Sequence, residues 1–170
     1  MHIDFLTIYL NVIIVLILIK VNISIITENH YNYYMRNKYI VIGAGKLGSY
    51  IANSLSIKGE DVIVIDKDKS RIDFLPITYS GLAIVGDATL LDTLDNASIN
   101  SCKCLMCFTD DDNTNILISH LAKVFYGIPN IIIRLNDPNK NVLVDQLGIK
   151  TVSPFFMSIN EIDRITKGMK

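Results

Sequence analysis

The chain lacks an excess of charge of either sign: 16 Lys and Arg stand against 17 Asp and Glu in 170 residues, for a net charge of -1 and a pI near 6.3. A broad basic field, which nucleic-acid-binding domains usually carry along one face, is therefore missing, and neither DNA nor RNA is an expected partner. Cysteine is scarce. Cys102, Cys104 and Cys107 are the three in the chain and crowd one short segment; an odd number in such a cluster does not make a secreted disulfide framework and suits a reducing cytosol. They do not read as a zinc site either, because no paired histidines follow at finger spacing, and their place on and before a predicted strand makes them small buried hydrophobes. His2, His30 and His120 form no cluster. No serine, cysteine or histidine has a recognisable base and orienting partner, so the expectation is a protein that is not an enzyme. Length adds a limit: one ordinary domain and a short appendage fit into 170 residues, and a second catalytic domain does not.

What is present starts with hydrophobic residues, half of the total against 19% charged, which excludes a disordered chain. Residues 5–26 are rich in Ile, Leu and Val and have the length of about 20 apolar residues that a membrane helix needs. Asn11, Lys20 and Asn22 interrupt the run, and a central lysine costs about 2.5–3.5 kcal/mol on insertion. Two readings of residues 1–34 stand side by side. In one they are a membrane anchor, with Arg36 and Lys38 keeping everything that follows on the cytosolic side. In the other they are an extension upstream of a natural start at Met35, just ahead of the first predicted strand. A cleaved signal peptide is not expected, since no basic stretch precedes the apolar run.

From Lys38 onward short apolar runs alternate with helix-length amphipathic stretches, the pattern of a parallel sheet wrapped by helices. Strands are predicted at residues 39–42, 61–65, 82–85, 104–108, 130–134 and 151–152. Helices are predicted at 47–57, with apolar positions Leu47, Ile51 and Leu55, then at 69–75, 90–96, 114–125, from Pro138 to about 147, and from Ser158. Six strands in this alternation predict an α/β, Rossmann-type doubly wound parallel sheet, preceded by the short hydrophobic amino-terminal segment.

Gly43-Ala44-Gly45-Lys46-Leu47-Gly48 is a G-x-G-x-x-G that follows a predicted strand and opens a predicted helix, the context that makes the pattern informative. Gly43 is expected to permit the tight turn, Gly45 to let backbone approach a diphosphate and Gly48 to allow close helix–strand packing. The helix start offers unpaired N–H groups and partial positive charge to phosphates. Asp66 ends the second strand 18 positions after Gly48, near the spacing of about 20 at which an acid hydrogen-bonds the adenosine ribose. Its charge opposes a 2′-phosphate, which favours NAD(H) or an adenine nucleotide over NADP(H), with Lys67 and Lys69 softening that repulsion. Asp68 reads as a surface-turn residue. Asp87 and Thr89, after the third strand, suit a ligand contact or a helix cap equally. Asp110-Asp111-Asp112 reads as capping of the following helix in preference to a metal site.

Taken in order, Met35-Arg-Asn-Lys-Tyr-Ile-Val-Ile-Gly-Ala-Gly-Lys-Leu-Gly, Val-Ile-Asp66, Gly86-Asp87-Ala88-Thr89, Thr109-Asp110-Asp111-Asp112-Asn113 and Ile133-Arg134 resemble the TrkA-N (RCK amino-terminal) domains over residues 38–162. The resemblance implies that Gly43, Gly45, Lys46 and Leu47 cradle the phosphates, that Asp66 binds ribose with Lys67 beside it, and that Asp87 and Ala88 line the adenine side. Thr109, Asp110 and Arg134 would complete the site. It implies NAD(H), or ATP and ADP, as ligands of a cytoplasmic regulatory subunit at the inner face of the plasma membrane. Its partner would be a potassium-translocating membrane subunit, and it would act as a homodimer or larger ring. Residues 163–170 read as a polar tail in place of the carboxyl-terminal ligand domain of the full-length pattern. A small NAD-dependent oxidoreductase, or a fragment of one, is the alternative, since the same fold serves dehydrogenases.

Overall fold

The computed structural model describes residues 36–169; residues 1–34, with their anchor and extension readings, lie outside the described residues. Ile and Val runs make up the interior strands at residues 38–42, 61–66 and 130–134, as expected where a parallel sheet is covered on both faces. Strands β1 (Lys38–Ile42), β2 (Asp61–Asp66), β3 (Leu82–Val85), β4 (Cys102–Cys107), β5 (Asn130–Arg134) and β6 (Lys150–Val152) form one sheet in the order β3-β2-β1-β4-β5-β6. Every pairing is parallel, so the doubly wound order is complete and its direction reverses between β1 and β4.

Alternation along each strand divides the core in two. Ile40, Ile42, Ile63, Ile65, Leu105 and Ile133 face one layer, whereas Val41, Val62, Val64, Cys104 and Met106 face the other. Each fully buried Ile, Val or Leu stabilises by about 1.5–3 kcal/mol. Helices α1 (Lys46–Ile57) and α2 (Lys69–Asp73) flank β2, while α3 (Leu91–Asn96) and α4 (Asp112–Val124) bring Leu94, Ile118 and Ala122 to the first layer. The three cysteines are free and buried, as expected, Cys102 and Cys107 on one layer and Cys104 on the other. Burial pushes the Cys107 thiol far above its ordinary range.

Three expectations change. Helix α1 buries Gly48, Ala52 and Ser56 and leaves Leu47 at the surface, with Ile51 and Leu55 only partly covered. The seam of small residues at i, i+4 and i+8 is what lets the helix axis come close to the sheet. The helix predicted from Pro138 to about 147 is two 3-10 segments, Pro138–Leu143 and Asp145–Leu147, ended by Gly148 at φ 66°. Val142 and Leu143 point to solvent and Val144 alone is fully buried, so no apolar stripe of helical period holds this stretch against the sheet. The last helix, α5 (Pro154–Lys167), starts four residues earlier than expected, with Pro154 in its first turn. No helix among the described residues is long and apolar enough to cross a membrane.

Candidate functional site

The turn from β1 into α1 is shaped by glycines that do different work. Gly43 has φ 96°, a region other residues rarely adopt, and a Cβ there would meet the Phe108 carbonyl carbon and Thr109 nitrogen at 2.9 Å. A Cβ on Gly48 would run into the Gly43 carbonyl oxygen. Gly45 is different: its Cβ would meet nothing nearer than Arg71 Nη1, 3.8 Å away, so its missing side chain opens space over the turn. Gly45 is also the residue ahead of α1, which has no side-chain cap and no acid in its first turn. Ser49 N–H is bonded to Gly45 O at 2.9 Å, which leaves the N–H groups ahead of it to external acceptors, as at any helix start.

Asp66 closes the turn from the side. Its carboxylate, 7% exposed, accepts from Ala44 N–H at 2.7 Å through Oδ2 and from Asp68 N–H at 2.9 Å through Oδ1. Each oxygen retains a lone pair for a further donor. The glycine turn and the loop after β2 are thus tied through one buried carboxylate, beside the reversal of strand order. Two hollows meet there. A cleft of about 300 Å³ is walled by Gly43, Asp66, Lys67, Asp87, Ala88 and Thr109, and a wider groove of about 810 Å³ runs past Ala44, Gly45, Lys46, Leu47, Phe108 and Arg134. Asp110 and Arg71 line both. The structure therefore brings together around these hollows every residue the resemblance points to, and Gly48 packs beneath the turn, as its expected packing role requires.

The acids sort by geometry. Asp68 caps α2, accepting from Ser70 N–H at 2.9 Å and its hydroxyl at 2.7 Å, and these bonds hold its carboxyl below the usual range. Asp87 caps no helix; it accepts the Thr89 N–H at 2.9 Å and hydroxyl at 2.7 Å, which likewise lowers its pKa. Asp111 caps α4, accepting from Thr114 N–H at 2.6 Å. Asp112 does something not expected: it is buried and accepts from the Asn136 and Asp137 N–H groups, both at 2.8 Å, fastening the loop after β5. Lys69, expected near Asp66, turns away to Asp73 at 2.7 Å.

Two residues of the site escape sequence reasoning. Arg71 lies 3.9 Å from Asp66 and Asp68 and 3.3 Å from Asp110, taking the place expected of Lys69. In the sequence it is one more cation in a basic stretch. Asn115 is fully buried: its Oδ1 accepts from the Thr109 hydroxyl at 2.8 Å and N–H at 3.1 Å, and its amide donates to Thr109 O and Arg134 O. It joins the ends of β4 and β5. The single described histidine, His120, has Nδ1 2.9 Å from Ile116 O on its own helix.

Comparison with known proteins agrees with this fold. The chain is 38% identical over 135 residues to a Trk system potassium uptake protein TrkA homolog of Pyrococcus horikoshii, covering 74% of this chain and 58% of the relative. It is 31% identical over 114 residues to the Trk system potassium uptake protein TrkA of Streptomyces coelicolor, covering 67% and 51%. The chain thus spans about half the length of these curated relatives. Among solved structures, the GsuK channel bound to NAD superposes with a TM-score of 0.66 at 25% identity, over 77% of this chain and 23% of that one. The NAD(P)-binding domain of an exopolyphosphatase-related protein from Archaeoglobus fulgidus shares the fold, with a TM-score of 0.65 at 23% identity over 78% and 99%. The TrkA-N domain model matches residues 39–154, and the chain belongs to the TrkA-N domain family.

Proposed function

We propose that this chain is a nucleotide-sensing regulatory domain of a potassium uptake system, binding NAD(H) or ATP/ADP and passing occupancy to a potassium-translocating membrane subunit, without catalysing a reaction itself. The observation that carries it is the pairing of a buried, backbone-anchored Asp66 with a glycine turn open only at Gly45. A side chain at Gly45 would stand where a diphosphate has to lie, whereas glycine leaves backbone N–H groups and the α1 dipole to receive it. Gly43, Ala44, Gly45, Lys46 and Leu47 would cradle the phosphates, Asp66 the ribose, and Asp87 and Ala88 the adenine side. Lys67, Thr109, Asp110 and Arg134 would border the ligand. GsuK, a channel, is bound to NAD in one structure and to ADP in another, and the curated relatives are potassium uptake proteins, which supports the regulatory reading.

Transmission requires a second body. Helix α5 buries none of its residues and leaves Phe155, Phe156, Met157 and Ile162 exposed, which supports assembly as a dimer or larger ring, since such apolar faces mark protein contacts. Occupancy would then shift two arrangements of the assembly through its different affinity for each. Titration of the purified protein with NADH, ATP and ADP tests the reading. Saturable binding of at least one is expected, weakened about tenfold or more by Asp66→Ala, because a charged hydrogen bond is worth about 1.5–3 kcal/mol. Folded protein that binds none of the three contradicts it.

A further inference from the structure

Arg71 and Arg134 reach the crevice from opposite sides of the sheet's reversal point, one from α2 and the other from the end of β5. Both guanidinium groups converge on one exposed carboxylate: Arg71 Nη2 is 3.3 Å from Asp110 Oδ2, and Arg134 Nη1 is 3.2 Å from Asp110 Oδ1. We infer that the two arginines are phosphate-binding arms and that Asp110 is a built-in competitor for them, displaced by the phosphates of an incoming nucleotide. The inference rests on the nucleotide-binding reading above and gives Asp110 a part opposite in sign to that of a ligand-holding residue.

Three observations carry it. Arg71 Nη1 faces the open side of Gly45, 3.8 Å from where a Cβ would stand, so the guanidinium borders the space in which a diphosphate would lie. A planar fork of donors matches phosphate oxygens, and phosphate offers more acceptors and more charge than one carboxylate. The other acids near Arg71 do not hold it as closely: Asp66 and Asp68 both lie at 3.9 Å, and the Asp66 oxygens are bonded to the N–H groups of Ala44 and Asp68. Asp110 itself is 68% exposed, and an ion pair so open to water is weak and readily exchanged. While it stays in place it sets a negative charge beside the phosphate path. The pair therefore sets a threshold that only ligands with enough phosphate charge overcome.

The test is calorimetric titration of the full chain with ADP, using wild type, Asp110→Asn, Arg71→Gln, Arg71→Lys and the Asp110→Asn/Arg71→Gln double variant. Both side chains are at the surface, and unchanged melting temperatures verify folding. Asp110→Asn is expected to tighten ADP about threefold, in line with the loss of one exposed ionic competitor. Arg71→Gln is expected to weaken ADP about tenfold, the size of one charge-assisted hydrogen bond, with Arg71→Lys between it and wild type. In the double variant the gain from Asp110→Asn shrinks, because one of the arms it frees is gone. Weaker or unchanged ADP binding by Asp110→Asn overturns the inference while leaving nucleotide binding intact. Wild-type protein that binds neither ADP nor NADH removes the underlying reading and the inference with it.

Discussion

At the scale of single residues the site turns on which glycines are filled around and which are not. Gly48 is packed against the Gly43 carbonyl and Gly45 opens into the groove, so substitutions there separate folding from binding. Gly48→Ala is expected to cost about 1–3 kcal/mol of stability through overpacking, read as a lower melting temperature. Gly45→Asp should do the reverse. It supplies α1 with the side-chain cap it lacks, which holds or raises the melting temperature, but sets a carboxylate against the diphosphate and lowers ADP affinity at least about tenfold. Equal stability losses in the two variants would mean that the turn is merely structural. The positions of the glycines at the turn and of Asp66 at the end of β2 were legible in the sequence, because both are bound to strand ends and spacing. Arg71 and Asn115 were not, since each joins segments far apart in the chain: Asp110 lies 39 positions from Arg71, and Asn115 links its near neighbour Thr109 to Arg134, 19 positions on.

At the scale of elements, the strands were readable because a two-sided core demands short, mostly apolar runs, and all six lie within a few residues of their predicted places. The stretch after Pro138 misled because its proline at a helix-start position suggests a helix, whereas its apolar Val142 and Leu143 point to solvent. The small-residue face of α1 misled for the complementary reason, that close approach is achieved by what is missing from Gly48, Ala52 and Ser56. Capping acids bear the pH dependence of these elements. Asp111 is held below the 3.8 of an ordinary aspartate by the Thr114 N–H and hydroxyl. A depressed folded-state pKa stabilises above the unfolded value and is lost as pH falls through the folded one. Asp111→Ala should therefore lower the melting temperature at pH 7, and the gap to wild type should narrow below about pH 4 and close under the folded pKa. A gap that stays constant down to pH 2 would show that the cap's charge contributes nothing.

At the scale of the whole molecule, a sheet whose order reverses between β1 and β4 places the ends of β2, β1, β4 and β5 around one crevice, and the proposed function follows from what those ends present. In the proposed function the backbone of the turn would hold a diphosphate, Asp66 would bind a sugar, and the exposed apolar residues of α5 would serve an assembly that responds. A crystal structure of the protein grown with NADH or ADP tests this most directly. The account predicts the diphosphate on the N–H groups of the turn at Gly45 and Lys46 and a ribose hydroxyl within hydrogen-bond distance of an Asp66 carboxylate oxygen. Nucleotide seated anywhere else on the chain, or a crevice filled by its own side chains under saturating nucleotide, would contradict it.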